Sequence, residues 1–458
     1  MSKTIAIFGG SLNPPHNGHV ELARFAEAAF GTTHEIPCGA RPDKLTVADI
    51  DPVHRAAMAD LAFRDLPDST VCLDDLERGE FTRTIDLDRK YRALGFEPWH
   101  VIGSEFIVGG DKAEMLTWRD GPSIWRDLNW AIVERPGYSF TAADLPPHAK
   151  VIGKGTDGRS TDIRSLIFNR QPFRHLVPSA VADYIERYGL FRGTAPVQVT
   201  HHQIAHPRAL LVVDTRNPKA VALAEHFRSI EVASGYNCVV VIGGDGAMLH
   251  AIKSHWRKRL PFYGINAGHE GFLLNDHDAS VDPTTLLREI KICRQSMFHV
   301  ETEHDGVKNE TSLAFNDAWI DHSTGQTAWV EIKVNGETRI PCLKGDMVVV
   351  ASPAGSTAYA KNAGGPLLCV DMPAMVMAAS CVQEPFGWRP VILPISSVIE
   401  ITALDPVKRP IKGFVDGREI GPITKMTIRP SRTAAAELAF TPGRDMAAKL
   451  ARYQFPTF

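Results

Sequence analysis

The runs TIAIFGG, residues 4–10, and VVVIGGDGAMLHAI, residues 239–252, each carry an apolar strand into glycines and on toward a stretch of helical periodicity. Glycines let backbone N–H groups come close to an anion, and a helix starting there offers its partial positive end to the same charge. This order of elements confines the chain to α/β units. It also recurs too far along to belong to one of them: one unit opens at residues 4–10, the other at ALLVVDT, residues 209–215. With 458 residues the chain is too long for one ordinary core. Asp245 in the second loop is the anomaly. A carboxylate repels the phosphates such a loop exists to hold, so either the loop binds no phosphate or the aspartate has a task beside one.

Between the two openings, LFRGTAPVQVTHHQIAHPR, residues 190–208, mixes Gly, Pro, Thr and His without a convincing period. We read residues 1–192 as one domain, 193–208 as a linker and 209–458 as a second region. Within that region the α/β pattern holds over 209–310. Beyond it Asn335-Gly336, flanked by WVEIKV and ETRIP, signals a two-residue hairpin. Val330, Ile332 and Val334 alternate there with Glu331 and Lys333. Short strands come next at 347–352, 390–395 and 397–404, so 311–458 reads as mostly β, closed by a helix over 445–455.

Fifty Lys and Arg against 53 Asp and Glu leave a formal charge of −3, too little for a broad field toward nucleic acid or an anionic membrane. Anion binding must therefore be local. The seven cysteines are scattered, odd in number and form no C-x-x-C pair, which argues against a disulfide framework or a structural zinc site and for a reducing compartment. The opening MSKTIAIFGGS begins a strand without a basic leader, and no apolar run approaches the roughly 18 residues of a membrane span. The expectation is a cytoplasmic homo-oligomer with no resident metal and neither membrane nor nucleic-acid partners.

GGSLNPPHNGH, residues 9–19, sits between the first strand and the periodic VELARFAEAAF. His16 and His19, three apart at the helix start, can face one volume. Two imidazoles beside free backbone donors make an anion site; the alternative is that they cap and pack around a rigid Pro14-Pro15 turn. The string resembles the nucleotidyltransferases of the H-x-G-H motif, specifically bacterial nicotinate/nicotinamide mononucleotide adenylyltransferases. HRAAM (54–58), LERG (76–79), VIGSE (101–105), ERPGY (134–138) and RSTDIRS (159–165) are similar to further segments in the family's order, over roughly residues 1–190. The resemblance implies a Rossmann-like domain in which Gly9, Gly10, Ser11, His16, His19 and Lys44 meet ATP. Ser160, Thr161 and Arg164 would embrace the phosphates that leave as pyrophosphate, and Thr84, Trp118 and Arg135 would meet the pyridine mononucleotide. The chemistry fits that inventory. A 5′-phosphate is already a nucleophile at neutral pH, so positioned positive charge with Mg²⁺, rather than a base, is what the protein must supply. Leu12 stands where the family has Phe, Glu105 where Asp is common, and Thr82-Arg83-Thr84 where Ser-Tyr-Thr is typical; the last two touch substrate recognition.

G-G-D-G alone is shared by phosphofructokinases and lipid kinases and points only to phosphoryl transfer. NAGHEGFL (266–273), FNDAW (315–319) and GDMVVVASPAGSTAYAKNAGGP (345–366) narrow it, because together they resemble NAD kinase from about residue 209 to the C-terminus. The resemblance implies that Asp245 is the base taking the proton of the adenosine ribose 2′-hydroxyl, with Gly243, Gly244 and Gly246 around the phosphates. It further implies Asn316 and Asp317 at the NAD ribose and phosphates, Thr357, Ala358 and Tyr359 at the nicotinamide half, and Phe272 at the adenine. Ala354, Met347, Ala360 and Asp317 depart from the usual Thr, Gly, Ser and Glu. Taken together, the expectation is a bifunctional enzyme whose first product, NAD, is the second site's substrate, with ATP, a pyridine mononucleotide and NAD or NADP as its ligands. A dinucleotide-sensing regulator with one active domain is the alternative. A lipid kinase leaves SPAGSTAY and the first domain unexplained.

Overall fold

In the computed structural model of the chain, residues 3–39, 50–194, 198–268, 270–276 and 281–455 are described. They fall into two compact units, Met1–Val197 and Gln198–Phe458.

The first unit runs β1 (Lys3–Gly10), α1 (Asn17–Phe30), β2 (Thr33–Pro37), α2 (Pro52–Phe63), β3 (Ser69–Val71), α3 (Asp74–Arg78), α4 (Thr84–Ala93), β4 (Phe96–Gly103), α5 (Gly121–Asp127), β5 (Asn129–Glu134), β6 (Ala149–Lys154), α6 (Ser160–Phe168) and α7 (Ser179–Tyr188). Its six strands are all parallel, in the order β3-β2-β1-β4-β5-β6. Ala6 and Phe8 of β1 pack with Leu22, Ala23 and Ala26 of α1, while Ile5 and Ile7 meet Leu87 and Tyr91 of α4. Burial on both faces is why TIAIF is continuously apolar. The strand order reverses between β1 and β4, and the segments after their C-terminal ends, residues 11–16 and 104–120, stand at the position where parallel α/β sheets place their ligand sites.

The second unit continues with β7 (Val199–Gln203), β8 (Ala209–Val213), α8 (Pro218–Phe227), β9 (Cys238–Gly243), α9 (Asp245–His255), β10 (Pro261–Asn266), α10 (Pro283–Arg288), β11 (Glu289–His304), β12 (Val307–Lys308), β13 (Ser312–Ala314), β14 (Asp317–His322), β15 (Ala328–Val334), β16 (Glu337–Gly345), β17 (Met347–Ala351), α11 (Tyr359–Asn362), β18 (Ala374–Ser380), β19 (Val391–Pro394), β20 (Ile399–Ala403), β21 (Ile411–Val415), β22 (Arg418–Ile423), β23 (Lys425–Phe440) and α12 (Met446–Gln454). Parallel β8, β9 and β10 are covered by α8 and α10 on one face and by α9 and α12 on the other.

Two features differ from the sequence-based expectation. Val199–Gln203, inside the stretch read as a linker, is a strand that pairs antiparallel with Glu289–Cys293 of β11. A strand that only extends a sheet edge needs little apolar content, so VTHHQ gave no periodic signal. The division at 310/311 is not a structural break either. The 16-residue strand β11 pairs along β23, and β23 runs parallel to β10, so one sheet passes through both parts. The β15–β16 hairpin turns at Asn335 and Gly336, both at positive φ (54° and 80°), the backbone that Asn-Gly favours. A second sheet, β19-β18-β17-β14-β21-β22, closes over a core that includes Val330, Ile332, Val350, Met375, Ile401 and Ile428. Among the described residues no helix is long and apolar enough to cross a membrane.

Candidate active sites

In the first unit β1 ends in Gly9 and Gly10, and a Cβ placed on Gly9 would meet nothing within 4 Å. The next residue is held from behind: buried Arg55 of α2 donates Nε–H to the Ser11 carbonyl at 3.1 Å and Nη2–H to that of Cys38 at 2.6 Å. Leu12 is 1% exposed with φ 45°, a left-handed backbone that its packing must sustain. His16 and His19 stack with ring centroids 3.7 Å apart, and His19 Nδ1 accepts the His16 backbone N–H at 3.2 Å. The loop approaches another from across the sheet: a Cβ on Gly158 would lie 3.2 Å from the His16 ring.

α6 brings the distant motif to this loop. Ser160 Oγ donates to the Pro14 carbonyl at 2.9 Å, and Arg164 Nη1 donates to that of Asn13 at 2.6 Å. Arg164 also reaches Thr161 Oγ1 at 3.3 Å. Two segments about 150 positions apart thus form one feature. Arg135, just past β5, pairs with Glu105 at 3.0 Å, its backbone N–H held by Ser104 Oγ. Burial first and Arg135 second push the His16 imidazole down to about 4; burial, His16 and Arg135 push His19 well below its usual value. The two imidazoles face one volume, as their spacing implied, and their burial disfavours the charged form of each. The fixed positive charge beside them is that of the Arg135 and Arg164 guanidiniums, and a neutral imidazole still offers one ring N–H.

Thr84 opens α4, next to Thr82, whose N–H and hydroxyl are held by Asp75. Arg83 lies over the Phe81 ring at 5.1 Å. Trp118 packs edge-on to Phe106 and Trp130, in a cluster apart from the histidines. Lys44 lies outside the described residues.

In the second unit Gly244 caps α9 and Asp245 is its first residue. The carboxylate does not face an open loop. Its Oδ2 accepts the N–H of Phe272 at 3.1 Å and its Oδ1 that of Leu273 at 3.0 Å. Burial pushes this carboxyl above its usual value, against the pull of those two amides and of Lys449. The three glycines differ in purpose: a Cβ on Gly243 would strike Ala247 at 2.7 Å, whereas Gly244 and Gly246 border open space. Phe272 is 8% exposed, with Tyr453 edge-on at 5.9 Å.

Asn316 and Asp317 precede and begin β14. Asn316 Oδ1 and Asp317 Oδ2 are buried without a hydrogen-bond partner among the described residues, as groups awaiting a ligand would be. Burial, and then the nearby Asp416 carboxylate, push Asp317 up to about 7. Asp416 carries no motif that marks it in the sequence. Its Oδ2 accepts the N–H of Phe315 at 2.9 Å, and its Oδ1 those of Asn316 and Asp317 at 2.7 and 3.2 Å, so it fixes the backbone bearing both side chains. Lys253, in the last turn of α9, lies 3.6 Å from Asp416 and links the two halves of the site. Gln295 of β11 is equally unmarked: it donates to the Phe315 carbonyl and accepts the Ala354 N–H, joining the 315–317 and 354–357 segments. Their approach is close enough that a Cβ on Gly355 would lie 2.1 Å from the Asn316 carbonyl oxygen. Thr357 Oγ1 donates to the Ala354 carbonyl, Ala358 caps α11, and half-exposed Tyr359 lies against Trp319, ring centroids 4.4 Å apart.

The sequence model of the ATP-NAD kinase N-terminal domain matches residues 198–282, and that of the ATP-NAD kinase C-terminal domain matches 288–437. A cytidylyltransferase-like model matches 7–166. An NAD kinase of Xylella fastidiosa is 35% identical over 257 residues, which is 55% of this chain and 97% of that protein. One of Zymomonas mobilis subsp. mobilis is 32% identical over 256 residues, 54% of this chain and 97% of that protein. An NAD kinase from Archaeoglobus fulgidus solved in complex with ATP aligns at a TM-score of 0.43 and 19% identity, over 54% of this chain and 99% of its own. With a cytidylyltransferase-like segment ahead of the matching region, this chain belongs to the NAD kinase family.

Proposed function

We propose that the chain is a bifunctional transferase. The first unit transfers the adenylyl group of MgATP to a pyridine mononucleotide, and the second phosphorylates the resulting NAD at the adenosine ribose 2′-hydroxyl. One observation carries this reading: a cytidylyltransferase-like segment and an NAD kinase region share one chain; on our reading the dinucleotide made by the first is what the second consumes.

In the first reaction the mononucleotide's 5′-phosphate oxygen attacks the α-phosphorus of ATP, and the bond to pyrophosphate breaks. No protein group has to take a proton. His16 and His19 donate ring N–H groups to the phosphates, while Ser160, Thr161 and Arg164 hold the departing pyrophosphate. Glu105 beside Arg135, and Thr82 to Thr84, bound the acceptor side.

In the second reaction the 2′-hydroxyl oxygen attacks the γ-phosphorus, ADP leaves, and the hydroxyl proton passes to Asp245. A carboxylate raised by burial and steadied by two amides is a stronger base than one in water. Asn316 and Asp317 accept from the ribose hydroxyls, with Tyr359 and Phe272 flanking the ligand's rings. Gly244 and Gly246 leave room for phosphates.

The test is to incubate the purified chain with MgATP and, separately, NAD, nicotinamide mononucleotide and nicotinate mononucleotide, and to resolve products by chromatography. NADP from NAD and a dinucleotide with pyrophosphate from a mononucleotide are expected. No product from either mononucleotide would leave the first unit without the assigned reaction.

A further inference from the structure

The C-terminal helix α12 packs on the turn that holds Asp245, and one side chain makes the connection. Lys449 is 9% exposed, and its Nζ donates to the carbonyls of Gly271 and Leu274 and, at 3.3 Å, to Asp276. All three ammonium hydrogens are thereby used. Between those carbonyls lie the N–H groups of Phe272 and Leu273, both donated to Asp245. The turn closes on itself through the Leu274 N–H and the Gly271 carbonyl. Its carbonyls thus point at a cation and its amides at an anion, which is how peptide dipoles lie when both charges favour one conformation.

We propose that α12, acting through Lys449, is the positioning element of the kinase site: it fixes the 271–274 turn that holds the Asp245 carboxyl and sets a cation behind that turn. The proposal rests on Asp245 being the base of the second reaction. Two further contacts tie the helix to the site. Tyr453 lies edge-on to Phe272 at 5.9 Å, and Lys361 of α11 lies over the Tyr453 ring at 4.4 Å. The helix is itself anchored, since its N-cap Asp445 accepts the Ala448 N–H and pairs with Lys291 of β11. The charged groups acting on Asp245 are Lys449, which favours the carboxylate, and Glu270, which opposes it. Asp276 and Arg452 act in turn on Lys449.

The experiment uses the full chain and compares Lys449→Met, which removes donor and charge, Lys449→Gln, which keeps a donor, and Lys449→Arg, which keeps both. Asp245→Asn serves as control. The readout is kcat and KM for NAD phosphorylation from about pH 5 to about pH 9. For Met and Gln we expect kcat to fall roughly 10- to 100-fold, with KM for NAD changed by less than about threefold. Losing a nearby cation raises the carboxyl's pKa, so the acidic limb should move up by about 0.5–1 unit in both, and stay in place in Arg. If the Met variant does not fold, the Gln and Arg pair still separates charge from packing. Unchanged kcat, or a lowered kcat with the wild-type limb in Gln, would overturn the proposal and leave Lys449 a packing residue. An active Asp245→Asn would overturn it differently, by removing the base it acts on.

Discussion

Replacing Asp245 with Asn changes one oxygen to an NH₂ group, and the surroundings determine the outcome. Both carboxylate oxygens accept main-chain N–H groups, at 3.1 and 3.0 Å. Whichever way the amide turns, its NH₂ faces the N–H of Phe272 or Leu273, and one hydrogen bond is lost at a cost of about 1–3 kcal/mol. Against that, burial raises the carboxyl's pKa, so at neutral pH the native anion carries a desolvation penalty that the amide does not. The two effects oppose each other at similar size, and the melting temperature should move by no more than about 5 °C. Catalysis has no such offset, because an amide cannot take the 2′-hydroxyl proton. A loss of about 10²–10⁴ in kcat, roughly 3–5 kcal/mol of barrier, is expected for NAD phosphorylation, with adenylyl transfer unchanged. The assay is steady-state NADP formation alongside pyrophosphate release from a mononucleotide, on one preparation with its unfolding curve. Near wild-type NADP formation would refute the base assignment. Parallel loss of both activities would show that the substitution acts through folding.

Replacing His19 with Ala should lower kcat for adenylyl transfer more than it raises KM for ATP, and leave the kinase reaction intact; a pure KM effect in steady-state kinetics would demote His19 to ground-state binding. Asp317 should show a stability signature. Its folded pKa, about 7, lies above the unfolded value near 3.8, so the folded state holds the proton more tightly and stability falls as pH rises between the two. Asp317→Asn should therefore stabilise the chain by about 1–4 kcal/mol at pH 8 and by almost nothing near pH 4, while weakening NAD binding; equal melting shifts at both pH values would contradict the assigned burial. A C-terminal piece beginning at Gln198 should fold and phosphorylate NAD, whereas one beginning at Ile204, lacking β7 against β11, should melt several degrees lower. Identical unfolding curves for the two pieces would show that β7 is dispensable.

Local order was legible where neighbouring residues dictate it. The apolar run into Gly243-Gly244-Asp245 marked β9 and α9, and Asn335-Gly336 marked the β15–β16 hairpin. What the sequence hid are the groups whose partners lie far along the chain. Gln295 sits in an alternating strand and meets Ser352, 57 positions on. Asp416 precedes an ordinary turn glycine, yet serves amides about 100 positions back. Lys449 occupies what reads as a solvated helix position, and only the fold puts its ammonium among carbonyls 175 and 178 positions away. The lowered basicity of the histidines was hidden for the same reason, because the burial and the Arg135 guanidinium that push both imidazoles down exist only in the assembled fold. VTHHQ gave no signal because pairing at a sheet edge, rather than an apolar face, makes it a strand.

The central claim is that one chain carries both reactions in sequence. The most direct measurement supplies the purified protein with nicotinamide mononucleotide, Mg²⁺ and ATP labelled in separate experiments at the α- and γ-phosphorus, and identifies every labelled product. The amide form is chosen because its dinucleotide is NAD itself, whereas a nicotinate dinucleotide would first need amidation. The account predicts α-label in NAD and then NADP, and γ-label in pyrophosphate and in the 2′-phosphate of NADP. Asp245→Asn should stop the sequence at NAD, and His19→Ala should slow it before NAD forms. γ-Label entering NADP only when NAD is supplied, with no α-labelled dinucleotide from either mononucleotide, would contradict the account and leave the first unit without its assigned chemistry.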